Sequence, residues 1–301
     1  MPPAALSPLE ESTWELEASL GFGLAGGRTV LKRIRTLGPL HVRRLFHPEP
    51  AGEDGIVPAQ AYLIHPPGGM VSGDSLRASL RLEEGARVLM STPSAGKFYQ
   101  ARPGSLKASQ TVRALVEKDA VLEWLPLETI IYRGARAESS FAFELASGAR
   151  LVFWDMLSFG RPASGEIFDR GSFSESLEIR RNGRLLALER LRIGGREGFS
   201  LLNSLEAFNK LPCLGVLMAL GGGDGEDLQK LIRARDEIRA TNPGGEGNGF
   251  FSAVTLKEDL LIVRALSSEM EPLKDFLLSA WKKTRLRLLS REAVVPRAWR
   301  C

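Results

Sequence analysis

Apolar and polar residues alternate along most of the first two thirds of the chain. Leu76, Ala78, Leu80 and Leu82 are apolar, with Arg77, Ser79 and Arg81 between them, which is the period of a half-buried strand. Residues 14–18, 29–34, 61–64, 250–256 and 259–266 read the same way. Residues 38–42 read as a turn then a strand, 47–58 as an exposed loop and 21–29 as a Gly-rich link. From Leu80 a faint repeat appears. The run 80–89 (LRLEEGARVL) resembles 143–152 (FELASGARLV), residues 114–122 have the same shape, and 177–186 is a looser copy with an Asn-Gly turn. The turn residues 85, 119, 148 and 183 are spaced by 34, 29 and 35, as in stacked β layers. The expected fold is therefore mainly β: a layered, solenoid-like sheet scaffold, in one domain over 1–301 with a loosely ordered start at 1–13.

Two stretches in the C-terminal half change period. Residues 224–241 place Leu228, Leu231, Ile232 and Ile238 on roughly one side and end at Asn242-Pro243-Gly244-Gly245. In 268–291, Leu273, Phe276, Leu277, Ala280 and Trp281 follow the i, i+3, i+4, i+7, i+8 rule, with Ser268 and Glu271 spaced as a capping box. Both are predicted to be helices packed on a sheet.

Residues 62–74 break the alternation. They run from an apolar strand into His65-Pro66-Pro67-Gly68-Gly69-Met70-Val71-Ser72-Gly73-Asp74. The prolines have no N–H and a fixed φ, and the glycines allow positive φ or close backbone approach. A stiff loop carrying one His and one acid thus joins two strands, and an Asx-type turn at Asp74 would explain it without further chemistry. Three more carboxylates, Glu123, Asp155 and Glu189, lie inside apolar runs. An unpaired buried carboxylate costs several kcal/mol, so each must be paired, turned to solvent or set in a wet interior. Arg161 and Arg190 are candidate partners. If the repeat holds, the three acids could line one polar passage with Asp74. Carboxylate oxygens without Cys or clustered His hold a borderline divalent cation only loosely, which suits transit.

The composition removes several classes. The excess of 40 basic over 36 acidic residues is too small to indicate nucleic-acid binding. No apolar run reaches a membrane span, and the start lacks a secretory signal. The cysteines, Cys213 and Cys301, form neither a disulfide framework nor a CxxC pair, which fits a reducing cytoplasm. With His41, His47 and His65 as its only histidines, the chain is not expected to hold a transition metal tightly. Ala95-Gly96-Lys97-Phe98 lacks the flanking residues of a phosphate loop, and no GxSxG or HExxH signature occurs.

These residues, read together, resemble the urease accessory protein family UreD (UreH). The resemblance runs through 65–74, 92–99 (TPSAGKFY), 122–130 (LEWLPLETI), Gly134-Ala135, Trp154-Asp155, 159–162, 165–168, Gly171 and 295–299 (VPRAW). Ser72 and Leu127 depart from it, and 195–250 diverges. The resemblance implies a non-enzymatic urease maturation factor in nitrogen metabolism. Such a factor is expected to bind a UreF-like accessory protein, through it a UreG-like GTPase, and the urease apoprotein, and to pass Ni²⁺ through an acid-lined tunnel without any tightly bound cofactor. By carry-over its functional acids are Asp74, Asp155 and Glu189, with Ser94 in the 92–99 block. His65 and Glu123 join them as candidate transient nickel contacts. Pro66, Pro67, Gly68, Gly69, Ser94 and Lys97 are the expected functional loop residues. The helix at 268–291 and the region 195–249 are the expected faces for the UreF-like partner. The alternatives are a β-solenoid hydrolase or lyase working with a carboxylate pair, and an adaptor with no metal role.

Overall fold

The alternation of 75–82 forces one side of that strand inward, and each repeat supplies another such strand. In the computed structural model, which describes residues 13–42, 44–194, 201–241 and 249–300, these strands build two facing sheets. One has seven strands: β15 (Arg184–Gly194), β14 (Ser172–Arg181), β11 (Arg136–Leu145), β8 (Ala108–Val116), β5 (Ser75–Leu82), β1 (Glu15–Ala25) and β2 (Arg28–Leu37), in that order. The main path of the other is β17 (Phe250–Lys257), β18 (Leu260–Ser267), β16 (Cys213–Leu220), β12 (Arg150–Arg161), β9 (Val121–Trp124), β6 (Arg87–Ser91), β4 (Ala59–Ile64) and β3 (His41–Val42). The short strands β7 (Gly96–Phe98), β10 (Thr129–Ile131) and β13 (Glu166–Ile167) attach beside β12. No helix among the described residues is long and apolar enough to cross a membrane.

The repeat is real for three coils. β5, β8, β11 and β14 are parallel neighbours, as are β4, β6, β9 and β12. Gly85, Asp119 and Gly148 turn the chain from one sheet to the other with φ of 73°, 55° and 75°. The turns also stack, with Gly85 N donating to Lys118 O and Asp119 N to Ser147 O. The fourth copy behaves differently. At Asn182-Gly183 both residues take positive φ, the requirement of a two-residue hairpin whose twist matches its strands. The chain therefore folds back in the plane as antiparallel β15 and does not cross to the other sheet. The Gly-rich link also differs from expectation: β1 runs on through Gly21 and Gly23 to Ala25, and only Gly26-Gly27 turn.

Apolar side chains fill the space between the sheets, led by Phe22, Phe98, Phe143, Phe153, Phe159 and Phe173. A second core covers the outer face of the larger sheet. There α1 (Gly225–Ala240) and α2 (Met270–Leu289) pack Leu231, Leu273, Leu277 and Trp281 onto Val152, Trp154, Leu217 and Val263. β12 is thus buried on both faces. Gly215 permits the contact, since a Cβ there would lie 2.8 Å from a Leu277 methyl. The α1 N-terminus is capped by Asp224, which accepts from Asp227 N. The expected Ser268–Glu271 capping box does not form. α2 begins at Met270 behind an extended Glu269 with no side-chain cap, and it closes at Ser290 in the left-handed region.

Candidate functional site

Position along each strand decides what a polar residue can do here. On β12, Leu151, Phe153, Leu157 and Phe159 belong to the core between the sheets, while Val152, Trp154 and Met156 face the helices. Asp155 has the inward phase and is 4% exposed. On β14, Phe173, Leu177 and Ile179 point inward, and Glu175 shares their phase. The two acids meet across the interior and hydrogen-bond to each other. Asp155 Oδ2 and Glu175 Oε2 are buried with no donor from elsewhere in the protein. Two carboxylates can face each other this way only if they share a proton. Burial pushes the Asp155 carboxyl up to about 6, although the hydrogen bond from Glu175 opposes the rise. Glu175 goes well above the usual range through burial, then through the charge of Asp155.

This pair adjoins a cavity of about 80 Å³ whose lining includes His65, Gly69, Ser94, Lys97, Gln110 and Asp155, room for a few waters. The loop after β4 shapes it. Gly68 N donates to His65 O across Pro66-Pro67. Met70 then exchanges backbone bonds with Lys97 O and Tyr99 N. Gly69 is needed where that approach is tightest: a Cβ there would sit 2.4 Å from the Tyr99 ring. Burial pushes the His65 imidazole down, against the pull of Asp74, which favours the neutral ring, and its Nε2 is buried without a partner. Pro66, Pro67 and Ser94 are exposed, Lys97 and Gly68 half-buried.

Cross-strand register extends the polar line. Gln110, Ser139 and Glu175 are neighbours on β8, β11 and β14, all on the inner face. In the facing sheet, Asp155, Val216 and Arg264 form a row across β12, β16 and β18. Arg264 pairs with Glu189 of β15 at 2.7 Å, both about half exposed. Glu189 lies opposite Leu177 in register and so has the inward phase at the open side of the sandwich. From Asp155 to Arg264 is two strand spacings, roughly 10 Å.

Two of the predicted acids are engaged elsewhere. Glu123 faces the helices and accepts from Trp281 Nε1 at 2.8 Å and from Arg285 Nε at 3.0 Å. Arg285, 1% exposed, also pairs with Glu49 at 2.8 Å. Glu123 is therefore an ion-pair partner on the far side of the sheet, and the expectation of one passage through Glu123, Asp155 and Glu189 is corrected. Asp74, 5% exposed, accepts from Val71 N at 2.9 Å and Trp14 N at 3.3 Å; it reaches back three residues to close the loop, whereas the expected Asx-type turn would reach two residues forward. The candidate partners Arg161 and Arg190 serve neither Asp155 nor Glu189; Arg161 pairs with Glu166.

The comparisons with known proteins bear on the whole chain. The profile of the UreD urease accessory protein family matches residues 15–300. The chain belongs to the UreD family. It is 39% identical over 297 residues to the urease accessory protein UreD of Pseudomonas aeruginosa, covering 98% of this chain and 99% of the relative. It is 38% identical over 287 residues to that of Pseudomonas fluorescens, 95% of each chain. A more distant relative from Hahella chejuensis is 33% identical over 290 residues, 95% of this chain and 90% of its own. Membership makes the chain a factor in urease maturation and not a catalyst. In this UreD family member the polar interior holds residues that composition did not single out: Glu175, Gln110 and Ser139. The signal for Glu175 was its phase, an acid in step with Phe173, Leu177 and Ile179.

The shared proton has a measurable consequence. Above the ordinary carboxyl range and up to its own raised range, the folded pair keeps a proton that both groups lose on unfolding. The raised values therefore contribute stability that is full below the ordinary carboxyl range and is lost as pH rises through them. Stability should fall by up to about 1.4 kcal/mol per pH unit as pH rises from the ordinary carboxyl range through about 6, where Asp155 titrates, and on through the raised range of Glu175. Glu175→Gln, which keeps a donor for Asp155, should flatten that slope, as read from denaturant midpoints across the range.

Proposed function

We propose that the chain is a nickel-delivery scaffold of the cytoplasm. It links a UreF-like protein, with its UreG-like GTPase, to the urease apoprotein, and it lets Ni²⁺ pass through the space between its two sheets. The observation that carries the reading is the enclosed Asp155–Glu175 pair beside the cavity at His65. An apolar interior has no structural need for two carboxyls without a counter-ion, and burying them opposes folding. Their free oxygens suit a divalent cation, which would displace the shared proton. Two carboxylates hold nickel loosely, as release at the far end requires. Gln110 and Ser139 extend the path along one sheet, and Glu189 with Arg264 stands at its open side. Ni²⁺ is cargo here, and GTP hydrolysis belongs to the partner.

The hydrolase alternative needs two acids flanking an open cleft, about 5–10 Å apart. The pair found here is enclosed and in hydrogen-bond contact. Co-expression of urease with its accessory proteins, with and without this chain, tests the proposal through nickel content and activity of purified urease. The expected result is nickel-poor, inactive urease without the chain; equal nickel in both preparations would refute it.

A further inference from the structure

Asp74 does more than close a turn. Its two carboxylate oxygens hold two backbone amides, those of Trp14 and Val71, and both residues turn large apolar side chains to the outside. Trp14 is 47% exposed and Val71 38%. Leu106, 66% exposed, joins them. A Cβ built on Gly73 would come 3.9 Å from Leu106 Cβ and 2.5 Å from a Thr13 methyl, so the residue between Val71 and Asp74 lies between the segments bearing Trp14 and Leu106. Two hydroxyls secure the Leu106 loop: Ser72 accepts from Arg102 N at 3.0 Å, and Ser105 donates to Arg102 O at 2.7 Å. The rim is cationic. Arg77 and Lys107 face Glu15 and Glu138 at 3.8 and 3.6 Å. Arg102 and Arg136, both exposed, have no carboxylate within ion-pair distance among the described residues.

We infer that Trp14, Val71 and Leu106 form a docking face for a partner protein's apolar segment flanked by acidic residues, and that Asp74 is its positioning residue. Exposed apolar side chains gathered at one place mark contact surfaces more often than scattered ones do. Aromatic anchors inside a charged rim are the usual anatomy of such a face. These two arginines, which no carboxylate neutralises among the described residues although Arg136 donates to Ser105 O at 3.1 Å, set the sign of the partner's flanks. They also disfavour a second copy of the chain, which would bring cation against cation. The face lies on the outer side of the loop whose inner side, at Gly69 and Met70, lines the cavity. A partner docked there would cover the loop end of the proposed path. The inference rests on the reading that the chain works by assembly with other proteins.

The test uses the full chain with two purified probes, the urease apoprotein and the UreF-like protein, each titrated by calorimetry at two salt concentrations. Trp14→Ser/Leu106→Ser should weaken binding of one probe at least tenfold while the melting temperature and circular dichroism stay as in the wild type. Arg102→Glu/Arg136→Glu should do the same and remove the salt dependence. Asp74→Ala should weaken the same probe and speed amide hydrogen exchange at Trp14 and Val71, a readout that a passage acid would not move. Leu185→Ser/Leu188→Ser, on β15, is the control and should bind normally. Asp155→Asn/Glu175→Gln should bind both probes normally, so lost activation with intact binding falls on the passage alone. Unchanged affinity of the patch variants would overturn the inference, as would wild-type protein that binds neither probe. So would a patch-dependent dimer, or Trp14 fluorescence that shifts to the solvent-exposed maximum only when residues 1–12 are removed.

Discussion

Asp155→Asn/Glu175→Gln protein should fold and bind its partners yet deliver little nickel. The substitutions keep shape and hydrogen bonding, because an amide can donate to an amide oxygen where the acids shared a proton. They remove the only carboxyl pair on the inner face that has no counter-ion among the described residues. Neutral amides are poor ligands for a divalent cation beside carboxylates. Purified urease matured with the double variant should carry at least tenfold less nickel than with wild type, with activity lowered in proportion. Each single variant leaves one acid and should fall between. Full nickel content with the double variant would place the route elsewhere, and the Glu189–Arg264 side would have to be entered without crossing the core.

Arg285→Met should be the most damaging single change to stability. The guanidinium is all but inaccessible and joins three parts of the chain: Glu123 on β9, Glu49 in the loop before β4, and the Glu292 carbonyl after α2. Removing it leaves Glu123 with the Trp281 Nε1 donor and Glu49 with Arg291 at 4.0 Å, and burial already raises Glu49 above its ordinary range despite the arginine. Breaking one side of a buried pair costs roughly 3–5 kcal/mol, a drop in melting temperature of about 10 °C for a chain of this size. Adding Glu49→Gln and Glu123→Gln should recover much of the loss, because the amide oxygen that the second substitution introduces can still accept from Trp281. Thermal melts of the single and triple variants decide it. A single variant within ~1 kcal/mol of wild type would mean that water fills the arginine's place.

The layered architecture was legible in the sequence because it repeats. Gly85, Asp119 and Gly148 recur at intervals set by one coil, and left-handed turn positions tolerate few residue types. Asn182-Gly183 fits the same spacing, yet an Asn-Gly pair also makes a tight hairpin, and spacing cannot tell a sheet-crossing turn from an in-plane one. The two helices were read from their periodicity, but Ser268 and Glu271 made a false cap because tertiary contacts set where α2 starts. For the site, burial cost drew attention to Glu123, Asp155 and Glu189 alike. Only their phases and the long-range positions of Arg285 and Arg264, 162 and 75 residues away, separate a far-side ion pair from an interior acid and an open-side one. Glu175 was harder still, since its strand, Ser172–Arg181, also carries Ser174, Ser176 and Glu178 and reads as polar until its inward phase is fixed.

The in-plane return at Asn182-Gly183 also bears on self-association. A coil of parallel strands could in principle keep adding layers, and an unfinished end invites another chain to supply the next one. Here the seven-stranded sheet ends on β15, which runs opposite to the strands before it. The β14–β15 register shifts between Ile179 and Arg180, and exposed Arg184, Arg190 and Arg192 line the last strand. Reversed direction, broken register and like charge each penalise edge-to-edge growth. The hairpin thus works as a terminator against polymerisation, and the chain is kept from pairing with itself along that edge.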